Sequence, residues 1–286
     1  MHGLKIVASG FCAFMLAAAV VPGTTAAPLK GSGLHAIVDG NGWLLGASKN
    51  GRWITKPNLM GSRSYTIYGF KGRLGSVTTG KPVSLDAPCP DQTGITVKLP
   101  EGAVVGIEGT WNALPRIPRS QDTNQPAYRA IVKQFLQNHG IKKPEIQIDQ
   151  IVRCDLDNDG TDEVVISAHR YKADQDIMAS ASRDTDQDTA FQIHTADVKA
   201  GDYAIVLLRK IYRGKVITIP LAGEFYPKAR KFVAPSVYQV QGMFDLKGDG
   251  RMQILLGSRY YEGEGTQVFD IHGLKAESVL GSGCGA

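Results

Sequence analysis

Twelve consecutive positions, Asp155 to Ile166, recur without a gap ninety residues later as Asp245 to Leu256. Both stretches open on an acid followed by leucine, carry a second acid at the fifth position and a glycine at the sixth, and become apolar directly after the ninth. Ahead of the first copy, Ile146, Ile148, Val152 and Cys154 fall on even positions, the period of a half-buried strand. Each copy therefore reads as strand, tight turn, strand, with the glycine supplying the backbone freedom of the turn. A chain that contains this unit twice must build its second half from antiparallel hairpins. It is too short after about residue 138 for a full propeller, which needs at least about four blades of four strands.

The first half is β-like as well. Asp39-Gly40-Asn41-Gly42 separates Ala36-Ile37-Val38 from Trp43-Leu44-Leu45, and Asn50-Gly51 precedes Trp53-Ile54. Asn-Gly and Asp-Gly between apolar runs are strong hairpin signals. No segment from Leu34 to Pro118 sustains a helical period, so a small antiparallel barrel or sandwich is expected there. A proline-studded connector, Leu114 to Pro126, leads to one amphipathic helix from Pro126 to about Asn138. Its apolar face is Tyr128, Ile131, Val132, Phe135 and Leu136, with Asn124 as cap and His139-Gly140 as terminus. The fold class is thus mainly β (α+β), with domains at 27–120 and 121–286. The polar stretch 172–201, rich in Asp, Ser, Thr and Gln, is expected to be a mobile surface loop or a lid that faces a partner.

Residues 1–26 have the three parts of a secretory signal peptide: a short basic lead at His2 and Lys5, an apolar run from Ile6 to Val21, and small residues up to Ala26. The run is short for a membrane span, which takes about 20 residues. A periplasmic or extracellular monomer is expected, with no membrane span once the signal is cleaved. Cleavage leaves Cys89, Cys154 and Cys284. In an oxidising compartment an odd count implies one bridge and one free thiol. Cys154 belongs to the apolar face of a strand, whereas Cys284 lies in a Gly-rich tail that gains most from a tether. Cys89–Cys284 is the expected pair, and the alternative is that all three remain reduced. The net charge of +5 is spread over the surface without interleaved aromatics, which speaks against a nucleic-acid partner.

The first repeated turn concentrates five acids, Asp155, Asp157, Asp159, Asp162 and Glu163, within nine residues. Such crowding favours a cation, and alternate positions of a tight loop can offer the hard oxygens that calcium takes. An EF-hand is excluded because its twelfth position would be glutamate and is Ile166, and because strands rather than helices flank the loop. The segment from Ile148 to Ser167 resembles the calcium loops of integrin-type FG-GAP and VCBS repeats. That resemblance implies one calcium ion held by Asp155, Asp157, Asp159, the carbonyl of Thr161, and Glu163. In the second loop, 245–253, Lys247 and Gln253 replace two acids and Arg251 adds positive charge, so that loop is expected to be empty, with the Lys247 ammonium in place of an ion. More broadly the chain is similar to exported bacterial proteins of undefined function that share Gly223-Glu224-Phe225-Tyr226-Pro227, Ser258 to Gly263 and a terminal Gly-Cys-Gly.

Other motifs do not hold up. Gly75 to Lys81 has P-loop spacing, but Pro82 stands where a Ser or Thr would hold magnesium. None of the histidines has metal-ligand spacing, and no nucleophile elbow is present. Arg259, Tyr260, Tyr261 and Glu262 form a candidate recognition surface of amphipathic aromatics beside charges. The leading expectation is a calcium-bearing module with a structural or recognition role toward a glycan or protein ligand. The alternative is an extracellular hydrolase of polysaccharide or cell wall, with carboxylates such as Glu224, Glu262 or Glu264 catalytic.

Overall fold

A computed structural model describes residues 33–172 and 195–285. The expected signal segment, 1–26, and most of the expected loop, 172–201, lie outside the described residues.

The N-terminal half supplies β1 (Leu34–Asp39), β2 (Leu44–Lys49), β3 (Arg52–Ile54), β4 (Arg63–Gly69), β5 (Gly72–Thr79), the short pair β6 (Val83–Ser84) and β7 (Thr93–Gly94), and β8 (Val105–Ile107). The Asn-Gly signal is realised: Asn50 and Gly51 both adopt left-handed backbone (φ 51° and 73°) and turn β2 into β3. The strands form one six-stranded antiparallel sheet in the order β3-β2-β1-β8-β4-β5. It is not the expected barrel or sandwich, because its outer strands β3 and β5 do not meet. One face, with Ala36, Val38, Tyr65 and Ile67, is covered by loop residues such as Leu59 and Leu99 instead of by a second full sheet. Gly75 to Thr79 of the P-loop-like segment belong to strand β5, not to a phosphate cradle.

After β9 (Arg119–Ser120), the helix α1 spans Pro126–Asn138, as the periodicity predicts. Its N-cap is Gln125, without a side-chain cap bond, not Asn124, whose own backbone N–H donates to Asp122. Then come β10 (Gln150–Cys154), β11 (Glu163–Arg170), β12 (Asp202–Tyr212) and β13 (Lys215–Tyr226), which with β9 make a second antiparallel sheet. A third sheet is the meander β14 (Val237–Phe244), β15 (Gln253–Tyr260), β16 (Gly263–His272) and β17 (Lys275–Gly285).

The internal repeat is therefore structural: β11 and β15 begin at the same place in the twelve-position alignment and run through 163–170 and 253–260. The two strands differ in how they connect to the next. Tyr261 and Glu262 alone join β15 to β16, whereas 171–201 separates β11 from β12. Accordingly Tyr171 is buried and donates to the Ser236 carbonyl, while its aligned counterpart Tyr261 is exposed in a turn.

The second sheet is buried on both faces, which explains the unbroken apolar runs of β11 and β12. Val132 and Leu136 of α1 cover one face, with Val164, Ile166, Ile205 and Leu207 beneath them. On the other face Val152, Val165, Val206 and Leu208 join a core that also takes Ile37, Leu45 and Val105 from the first sheet and Phe244, Ile254 and Val268 from the third. One hydrophobic core thus runs through all three sheets and across residue 120.

Candidate metal centre

Both repeat loops close at the same register. Cys154 pairs with Glu163 at the neck of the first, and Phe244 with Gln253 at the neck of the second. The first acid of each loop acts as an internal anion. Asp155 Oδ1 accepts the N–H groups of Asn158 (2.7 Å) and Asp159 (3.2 Å), and its Oδ2 accepts that of Gly160 (3.0 Å). Asp245 repeats this with Gly248, Asp249 and Gly250 at 2.6, 3.1 and 2.8 Å. Gly160 and Gly250 both sit at φ 84°, where a Cβ would be strained. The fifth-position acids, Asp159 and Asp249, each accept the N–H two residues on. At the ninth position Glu163 Oε2 accepts from Leu156 N–H at 2.8 Å, as Gln253 Oε1 does from Leu246 N–H at 2.9 Å. Glutamine performs this closing bond as well as glutamate, so the bond itself requires no charge.

Asp157, at the third position, is different: no backbone group uses its carboxylate. Its Oδ2 lies 3.2 Å from Lys210 Nζ, and its Oδ1 is buried with no hydrogen-bond partner. Carboxylate oxygens of Asp155, Asp157 and Asp159 come within 4.8 Å of one another. A buried oxygen without a donor costs about 1–3 kcal/mol, more when charged, so this set of donors fits a cation. Asp162 faces elsewhere and pairs with Arg119 and, at 3.5 Å, with Arg153. It is not one of the clustered oxygens. Thr161 donates its N–H to Asp159 at the loop's far end.

Two basic residues at this site went unread in the sequence. Lys210, 5% exposed, enters from β12 and also approaches Glu163 Oε1 at 3.6 Å. Burial raises the Glu163 carboxyl above the ordinary range, and the Leu156 N–H and the Lys210 ammonium offset only part of that. Arg116 donates to the carbonyls of Asp155 and Leu156, to Asn158 Oδ1 (3.2 Å) and to Gly250 O (2.7 Å), so one guanidinium ties both loops together. A lysine just past the apolar run Ala204 to Leu208, in the same strand, was the visible clue to the first. Nothing in the sequence marked the second.

In the second loop Lys247 Nζ sits 3.3 Å from Asp249, 3.0 Å from Asp270 and 5.1 Å from the centre of the Trp53 ring. Burial alone would raise Asp270, but hydrogen bonds from Lys247 and Trp53 prevail and hold its carboxyl below the ordinary range. Asp270 approaches Gln253 from β16 much as Lys210 approaches Glu163 from β12. The loop and strand partners have thus exchanged charge between the repeats.

Cys89 and Cys284 stand at disulfide distance, with Cα atoms 5.5 Å apart. Cys154 is a buried free cysteine whose thiol burial pushes up to about 12. Of the proposed recognition residues, Arg259 pairs with Glu264 at 3.1 Å, and the rings of Tyr260 and Tyr261 meet edge-on at 6.2 Å beside Glu262. The carboxylates Glu224, Glu262 and Glu264 share no cleft. Glu224 is engaged by Tyr226, Tyr238 and the Ser236 N–H on the second sheet, and of the three only Glu264 lines the cavity of about 600 Å³ between the first and third sheets. No helix among the described residues is long and apolar enough to cross a membrane. No family model matches the chain, and neither curated proteins nor solved structures gave a match.

Proposed function

We propose that this chain is an exported, calcium-bearing module whose loop 155–163 holds one ion that stiffens the β10–β11 hairpin, in the service of ligand or partner recognition outside the cytoplasm. The observation that carries this reading is the buried Asp157 Oδ1, a carboxylate oxygen without a donor, in a loop where Asp155 and Asp159 both accept backbone N–H groups. Asp155, Asp157, Asp159, the Thr161 carbonyl and Glu163 would hold the ion. Four carboxylates, Asp155, Asp157, Asp159 and Glu163, stand against the Lys210 ammonium and the Arg116 guanidinium, so net negative charge remains for a divalent cation to neutralise. The second loop has Lys247 built in and needs none. Export rests on the tripartite leader and on the Cys89–Cys284 pair, which suits an oxidising compartment. The exposed turn around Tyr260, Tyr261 and Glu262 offers the recognition surface.

At millimolar calcium and a Kd near ~10⁻⁴ M, binding stabilises the fold by about 1.4 kcal/mol, or a shift of roughly 2–5 °C in melting temperature. The test is a thermal melt of the wild type and of Asp157→Ala in calcium and in chelator. Chelation is expected to lower the melting temperature of the wild type alone. Equal responses of the two proteins, or no response from either, would overturn the reading.

A further inference from the structure

A cavity of about 600 Å³ opens where the first sheet meets the face of the third. The turn after β1, Trp43 and Phe70 form one wall, and the first half of β14, the second half of β15 and the start of β16 form the other. A cavity of this size at the junction of two layers is typical of small-molecule sites. Its walls are also held in place before any ligand arrives. Asp39 accepts the N–H groups of Asn41 (3.0 Å) and Trp43 (2.9 Å) and the hydroxyl of Ser282 (3.0 Å), which locks the turn to β17. Asn41 then reaches Glu264 at 3.1 Å. Across the cavity Gln150 clamps β14 by bonding both the N–H and the carbonyl of Val240.

The lining restricts what can enter. An anion would meet Glu264 and Asp39 and find the Arg259 guanidinium already engaged by Glu264. A small cation gains little, because both carboxylates are satisfied internally by Asn41, Trp43, Ser282 and Arg259. An apolar ligand would strip water from the amides of Gln239 and Gln241 without replacing it, at a cost of about 1–3 kcal/mol each. Gln241 Oε1 already accepts from Thr266 at 3.2 Å, while its amide N–H groups make no hydrogen bond within the described residues. What fits amide donors and acceptors beside two aromatic rings is a neutral ligand with many hydroxyls and apolar C–H faces.

We infer that this cavity is a binding site for a neutral saccharide, with Trp43 and Phe70 against the sugar faces and Gln239 and Gln241 bonding its hydroxyls. The inference does not depend on the calcium loop, and its residues are separate from the loop's.

Saturation-transfer NMR on the mature chain, with cellotriose, maltotriose, tri-N-acetylchitotriose and trigalacturonate as probes, tests it. At least one neutral trisaccharide is expected to bind saturably. Trp43→Ala should weaken that binding at least tenfold, and the double variant Gln239→Leu/Gln241→Leu at least fivefold while still melting cooperatively. The glutamine variant keeps the test decisive if Trp43→Ala does not fold. The inference is overturned if no neutral trisaccharide saturates, if the glutamine variant binds as wild type does, or if trigalacturonate binds as well as the neutral sugars.

Discussion

Asp39 is 2% exposed and accepts three hydrogen bonds, yet burial outweighs those bonds and raises its carboxyl to about 6. In the unfolded chain the same group titrates near 3.8. Between these values the native state holds a proton that the unfolded state has released, so stability falls as the pH rises from about 4 to about 6. Two pH units correspond to a loss on the order of 2–3 kcal/mol. Asn at this position keeps an acceptor for the Asn41 and Trp43 N–H groups and can donate to Ser282, so Asp39→Asn should fold. Melts of both proteins from pH 4 to 7 should show the wild type losing stability relative to the variant by that amount. Parallel pH profiles would show that Asp39 titrates as an ordinary carboxyl. Asp157 poses the opposite problem: its environment leaves an oxygen without a donor, and the proposed ion would supply that oxygen's partner.

The unit of this molecule is the strand–loop–strand element with the strand beside it, and at that scale the sequence was legible in part. Loop bounds, hairpin signals and the helix 126–138 come from local chemistry: glycine at a left-handed turn, Asn-Gly between apolar runs, and a 3.6-residue stripe of Val132, Phe135 and Leu136. Lys210 and Asp270 were not legible, because their meaning depends on strand register. Each approaches the ninth loop position from a third strand, and in the first repeat 171–201 intervenes. The open first sheet was also hidden, since loops cover the face that alternation alone would assign to a second sheet. The register carries a prediction of its own. Lys247→Met takes the buried ammonium from Asp270, whose side chain is 3% exposed and keeps only Trp53, Gln253 and His272, and should cost about 3 kcal/mol in a denaturant melt. Lys247→Asp combined with Asp270→Lys rebuilds the arrangement of Asp157 and Lys210, and should recover at least half of the loss seen in Lys247→Asp alone. Additive losses in the two single variants would show that the exchanged charges are not coupled.

At the scale of the whole molecule, the first sheet and the second loop are built around each other. Trp111 Nε1 donates to the Asp245 carbonyl at 2.7 Å, Asp245 N–H to that of Ala113 at 2.8 Å, and the Ser48 hydroxyl to that of Leu246 at 3.3 Å. Leu280 of β17 lies so close to Gly46 of β2 that a Cβ there would come within 2.6 Å of it. With one core spanning three sheets, halves separated near residue 120 would each expose a large apolar face, so a single unfolding transition is expected. Cys89 and Cys284 close this arrangement across 195 residues of chain. A loop of that length removes enough unfolded-state entropy to stabilise the fold by up to about 5 kcal/mol, before any strain is subtracted. A non-reduced peptide map should therefore join the segments containing Cys89 and Cys284. Cys154 should stay unmodified by thiol reagents until denaturant is added, since burial keeps its thiol both protonated and out of reach. Reduction, or Cys284→Ser, should move the one transition to lower temperature without splitting it. A map that places Cys154 in the bridge, or a melt that separates into two steps, would mean that the halves are held together otherwise than by a shared core and this cross-link.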